Sequence, residues 1–204
     1  MVNNIILDFD ETISDTSGAI AKYYNDTYKY KNGFIPANAK KIFKWDFSDQ
    51  CPLMTPEEKG YLWGTDFFFD NLDPMPNVDE FIGKLGKIFN IHIVTLGTED
   101  NLAKKAKWIR YNIKNRDRIK DFIGITRYGD EVGKSIINMS DSIFIDDHTQ
   151  NLISSNADYR YIFGRKTGWN NDADNLGYIR LHDWKHAQEY IIENHIKANK
   201  WKES

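Results

Sequence analysis

An apolar run that breaks at once into acids, Ile5-Ile6-Leu7-Asp8-Phe9-Asp10-Glu11-Thr12, constrains this chain more than any other stretch. Brief, branched and apolar, the run reads as a buried strand that ends where polar residues begin. Asp8 and Asp10 then stand where the strand opens into its loop, the end at which open α/β sheets bind ligands. Two carboxylates this close repel each other, so a cation or an unusual protonation state has to make the pair tolerable. Taken alone, the stretch also reads as an Asx-turn or helix cap.

The remainder decides between those readings. Ile20, Tyr23, Tyr24, Thr27 and Tyr28 form a helical stripe, and Thr55-Pro56-Glu57-Glu58 is a helix start with its cap, proline and acids in place. About sixty residues separate the first strand from the next recognisable sheet element, too many for a simple crossover, so a small helical lobe is expected after strand one. Pro74 and Pro76 close it. Val78–Phe89 then reads as a helix and Ile91–Gly97 as a strand. Leu102–Tyr111 reads as a helix with Leu102, Ala106, Ile109 and Trp108 inward. Strands are expected at Phe122–Thr126, Ser142–Ile145 and Tyr159–Phe163, an edge element at Tyr178–Leu181, and a last helix over Trp184–Ile196 capped by Asp183. This alternation calls for a Rossmann-like parallel sheet with helices on both faces, an α/β fold. The expected division is a core of residues 1–14 and 77–204 and a helical lobe of residues 15–76.

Composition narrows the class. The 204 residues suffice for one sizeable core with a lobe attached. A net charge of -3 argues against a protein that coats nucleic acid, though basic side chains exceed acidic ones between Glu99 and Lys134. That stripe reads as a solvated helix face. Cys51 is the single cysteine, so no internal disulfide forms. No leader or membrane span is indicated, and a cytoplasmic protein is expected.

In a parallel sheet the carboxyl ends of neighbouring strands share one rim. Asp8 with Asp10, Thr95, Lys134, and Asp146 with Asp147 should therefore converge. Four carboxylates around one point require a cation, and oxygen-only ligands favour Mg2+ over zinc. A metal, a lysine and a hydroxyl together suit a phosphoryl group. Gly133-Lys134-Ser135 lacks the upstream glycines of a nucleotide-binding P-loop.

Asp8-Phe9-Asp10-Glu11-Thr12, Thr95, Lys134 and Ile145-Asp146-Asp147, in this order, resemble the four motifs of the haloacid-dehalogenase-like phosphatases, and the lobe resembles their helical cap. Phe67–Pro76, Ile143–Asp147 and Leu181-His182-Asp183-Trp184 are similar to stretches of the 5'(3')-deoxyribonucleotidase family. The resemblance implies a Mg2+-dependent phosphomonoesterase acting on nucleoside monophosphates through an aspartyl-phosphate. Asp8 would be the nucleophile and Asp10 the acid and base. Asp8, the Asp10 carbonyl, Asp146 and Asp147 would serve the metal, and Thr95 and Lys134 would hold phosphate. The chain departs from that family at Glu11 (commonly glycine), Thr16 (aromatic), Leu96 (a hydroxyl) and His148 (often arginine).

Trp45 and Phe47, in an irregular part of the lobe, are the candidates to stack on a base. Trp169-Asn170-Asn171 reads as a surface loop near the far end of the sheet, or as one that reaches the site. The same chemistry on another phosphate ester or on nucleic-acid ends, and a non-catalytic binding protein on the same fold, are the alternatives. No membrane partner is expected, and a homodimer is compatible with everything above.

Overall fold

The computed structural model describes residues 2–126 and 133–197. Six parallel strands form one sheet in the order β3-β2-β1-β4-β5-β6: β1 Asn4–Leu7, β2 Asn90–Gly97, β3 Ile119–Thr126, β4 Ser142–Asp146, β5 Tyr159–Phe163 and β6 Ile179–Leu181. The helices are α1 Thr16–Tyr28, α2 Pro56–Leu62, α3 Asp66–Asp70, α4 Val78–Leu85, α5 Glu99–Asn112, α6 Thr149–Ser154 and α7 Trp184–Ile191. The expected α/β architecture is what forms.

Side chains alternate across the strands, so the sheet carries two apolar layers. Ile5, Leu7, Ile91, Ile93, Ile143 and Ile145 face one way, into a core shared with α4, α5 and α7. Ile6, Val94, Phe144 and Ile162 face the other, against Leu152 of α6 and the loops at Met139 and Ala173. With both faces of β1 buried, side-chain alternation alone cannot set its register. The acid at its end does. A one-residue slip would draw the Asp8 carboxylate into the apolar layer. The cost of several kcal/mol outweighs the roughly 1.5–3 kcal/mol of any one buried aliphatic side chain.

Leu7 is in register with both Ile93 and Ile145, so Asp8 and Asp146 emerge side by side at one rim. The chain leaves that rim and returns to it at one crossing, where Asp15 N–H donates to Asp73 O at 2.8 Å and Met75 N–H to Ile13 O at 2.9 Å. Between these points lie α1, α2 and α3, with α2 opened by the expected Thr55–Glu58 capping box. The irregular stretch before α2 is fastened to the loop after β5. Arg165 Nη2 donates to Ala39 O at 3.1 Å, and Gly168 N–H to Phe43 O at 2.7 Å. A Cβ at Gly168 would stand 2.8 Å from that carbonyl oxygen, so the close approach needs a glycine.

Three expectations change. The helix expected over Val78–Phe89 ends at Leu85, and the last helix passes at Ile192 into a π-type turn running to Lys197. On α5 the inward face is Asn101, Leu102, Lys105, Trp108 and Ile109, and Ala106 is exposed. Its apolar stripe passes through a lysine, which the reading of that segment as a solvated basic face overlooked.

Candidate active site

Three buried carboxylates, Asp8, Asp146 and Asp147, meet at the rim, with oxygens within 4.8 Å of one another. Each is positioned by backbone as much as by side chain. Asp8 N–H donates to Ile145 O at 3.0 Å, continuing the β1–β4 ladder by one residue. Asp146 is the last residue of β4, and the start of α6 closes over it. His148 N–H donates to its Oδ1 at 2.8 Å, and Asn151 Nδ2 lies 3.0 Å from each of its oxygens. Asp147 Oδ2 accepts the indole N–H of Trp169 at 2.7 Å, and its carbonyl accepts from Asn170 at 2.9 Å.

Among the described residues one ammonium bonds this trio. Lys134, from a 3-10 turn over Lys134–Ile136, is 1% exposed and bonds Asp8 Oδ1 and, at 2.6 Å, Asp146 Oδ2. Burial alone would lower its pKa, but the Asp146 and Asp8 carboxylates outweigh that and raise it. The acids carry the opposite strain. Burial pushes Asp146 up to about 6 against the pull of Lys134, with Asp8 adding to the rise. Asp147 is pushed well above the usual carboxylate range by burial, then by Asp146, Asp8 and Glu11. Among the described residues a single lysine faces three enclosed carboxylates, so the donor set fits a further cation. Oxygen-only ligands in this number suit a hard divalent ion.

Asp10 lies apart from the trio. Its Oδ2 accepts from Lys105 at 2.5 Å and its Oδ1 faces the Thr16 hydroxyl at 3.3 Å. Thr95 is fully buried, and its hydroxyl oxygen accepts from the same lysine at 2.9 Å. Glu11 sits at φ +54°, a left-handed conformation that disfavours any residue with a Cβ by about 1–2 kcal/mol and that explains the glycine usual there. Its carboxylate accepts the Ser17 N–H, and burial pushes it up to about 7. Trp184 of α7 braces this loop from behind, donating to Thr12 O at 2.9 Å. A cavity of about 470 Å3, within the range of small-molecule sites, opens beside Glu11 and Asp147 towards Arg165 and His182.

Thus Asp8, Lys134, Asp146 and Asp147 come together as one cluster, and Asp10 and Thr95 come together on a lysine that sequence reasoning missed. The available signal was its spacing: Leu102, Lys105 and Ile109 share one helical face. Trp45 is 55% exposed, its ring 5.4 Å from Trp169 and 5.3 Å from His148. Phe47 is buried in the lobe, 6.0 Å from the Trp63 ring. Trp169 is 8% exposed rather than at the surface, and through its indole N–H on Asp147 the loop reaches the site, the second of the two readings of that stretch.

Solved structures share this architecture at low identity. A haloacid dehalogenase-like hydrolase from Streptococcus pneumoniae superposes with a TM-score of 0.61 at 14% identity, covering 93% of this chain and 98% of its own. A hydrolase of the same superfamily from Deinococcus radiodurans, solved with bound phosphate and sodium, gives 0.61 at 12% identity, covering 94% and 96%. The fold is therefore haloacid-dehalogenase-like. The sequence profile of the 5' nucleotidase, deoxy (pyrimidine), cytosolic type C protein family matches residues 1–199, and the chain belongs to that family. A Staphylococcus epidermidis protein named as a candidate 5'(3')-deoxyribonucleotidase is 28% identical over 110 residues. That match spans 52% of this chain and 56% of the relative, about half the length of each.

Proposed function

We propose that this protein is a Mg2+-dependent phosphomonoesterase that works through an aspartyl-phosphate on Asp8, and that its substrates are nucleoside monophosphates, deoxyribonucleotides foremost. The observation that carries the reading is the separation of two carboxylates two residues apart. Asp8 lies in the enclosed trio, whereas Asp10 is held outside it by Lys105. A carboxylate that would ligate the metal is suited to attack phosphorus, and one kept off the metal is suited to exchange protons.

In this reading an Asp8 oxygen bonds to phosphorus as the bond to the leaving oxygen breaks. The electron pair stays with that oxygen, and Asp10 supplies its proton. Asp10 then takes a proton from the water that attacks the acyl-phosphate, returning Asp8 and releasing phosphate. Lys134 and Thr95 hold the phosphate oxygens. Asp8, Asp146 and Asp147, with the Asp10 carbonyl, are the residues that would hold Mg2+, which would draw charge from the phosphate and lower the repulsion between a dianionic substrate and the acids. Residues 15–76 act as the cap over the core formed by 1–14 and 77–204, and exclude water during transfer. Trp45, exposed beside Trp169 and His148, offers the base a ring to stack on, with Phe47 behind it as packing. Family membership supports the nucleotide part of the reading and a cytoplasmic location. Among the described residues no helix is long and apolar enough to cross a membrane.

The test is phosphate release with and without Mg2+ across deoxyribo- and ribonucleoside monophosphates and simple esters. Mg2+-dependent turnover that prefers nucleotides, and its loss in a folded Asp8→Asn variant, is the expected result. Equal rates on every ester would remove the nucleotide assignment, and undiminished turnover in Asp8→Asn would remove the mechanism.

A further inference from the structure

We infer that Lys105 is a positioning residue that sets the geometry of proton transfer by Asp10 and fixes the Thr95 hydroxyl as a donor. The inference rests on the phosphomonoesterase reading above.

Lys105 is 1% exposed, on a helix face shared with Asn101 and the apolar Leu102, Trp108 and Ile109. An ammonium has three N–H donors and no acceptor. Each of the three finds a partner here: Asp10 Oδ2 at 2.5 Å, Thr95 Oγ1 at 2.9 Å and Leu96 O at 3.0 Å. The Phe9 ring, 5.0 Å from the nitrogen, closes the remaining side. Apolar residues can often replace a buried ion pair at little or no cost in stability, so stability alone is a weak reason for a lysine here.

The partners supply a better one. They come from the loop after β1 and the end of β2, two segments that must be held in fixed relation around a phosphate. By occupying Oδ2, Lys105 leaves Oδ1 as the Asp10 oxygen available to carry the transferred proton. By donating to Thr95 Oγ1, it commits that oxygen as an acceptor, so the Thr95 O–H can only point elsewhere. The Thr95 O–H is directed at Leu96 O over a long 3.5 Å, a contact that a phosphate oxygen can replace. No other lysine or arginine is paired with Asp10 among the described residues.

The experiment compares two esters in wild type and Lys105→Met. A nucleoside 5'-monophosphate leaves as an alkoxide that needs a proton, whereas p-nitrophenyl phosphate leaves as a stable phenolate that does not. General acid catalysis contributes about 10²–10⁴-fold. We expect kcat for the nucleotide to fall about 100-fold and kcat for the aryl ester to fall by less than about fivefold. Loss of the Thr95 contact should raise KM for both alike. If the two kcat values fall together while both proteins stay folded, Lys105 is a structural residue and the inference is overturned. Should Lys105→Met fold poorly, Lys105→Met/Asp10→Asn leaves no enclosed carboxylate without its partner. That double variant should match Asp10→Asn alone in kcat on the nucleotide, with KM raised by the lost Thr95 contact. A further loss in kcat of about tenfold or more shows that Lys105 acts on the chemical step independently of Asp10, which also overturns it. If wild type hydrolyses neither ester, the phosphatase reading itself fails, an outcome distinct from the others.

Discussion

Trp169 donates its indole N–H to Asp147 at 2.7 Å while its ring lies 5.4 Å from that of Trp45. One side chain therefore links a buried carboxylate of the site to the lobe inserted after β1. The strap between the two is short, since Gly168 N–H is bonded to Phe43 O next door.

Trp169→Phe keeps an aromatic ring in place and removes the indole donor from Asp147 Oδ2. Outer partners of metal ligands commonly contribute 10–100-fold in affinity. Mg2+ binding followed by calorimetry should weaken by about tenfold or more, with unfolding of the metal-free protein little changed. Unaltered Mg2+ affinity would show that Trp169 is packing alone.

Lys134→Met leaves Asp8 and Asp146 enclosed without their cation. Removing one partner of a buried pair costs about 3–5 kcal/mol, so the metal-free variant should unfold at markedly lower urea. Saturating Mg2+ should restore part of the loss, because it binds only the folded trio. A variant as stable as wild type without metal would mean that the carboxylates are not ionised together.

Stability without metal should also depend on pH. Burial pushes Asp146 to about 6 and Glu11 to about 7, from ordinary values of 3.8 and 4.5, and moves Asp147 the same way. Raised carboxylates bind more protons folded than unfolded. Their contribution is therefore complete below the unfolded values and is lost as pH rises through about 6 to 7. His195, held below 6.5 by burial, has the opposite sign, since protonating it at lower pH favours unfolding. Asp146→Asn separates the two. Between about pH 5 and pH 8 the metal-free urea midpoint should decline more steeply in wild type than in this variant. Parallel profiles would contradict the assignment.

Much of the site was legible because its residues end strands. Asp8 and Asp146 close short apolar runs, and a parallel sheet aligns such ends whatever lies between them. Lys134 could be placed from order along the chain. Lys105 and Trp169 were harder to place, for opposite reasons. The lysine looks like one more member of a basic helix until α5 is docked, and the tryptophan looks like loop until Asp147 reaches it. Trp45 and Phe47 are two residues apart in an irregular stretch without helical or strand periodicity. Only packing could show that the first is half open beside His148 and the second enclosed by Trp63.

By itself the sequence determined the sheet, the order of its acidic ends and the enclosure of charge at one rim, because short apolar runs leave little choice of partner and carboxylates cannot enter an apolar layer. The tertiary structure decided which cation each acid received. Lys134 went to Asp8 and Asp146, and Lys105 to Asp10. That choice depends on how α5 and the turn before β4 dock on the sheet, and contacts 95 and 126 residues apart leave no local trace in the chain.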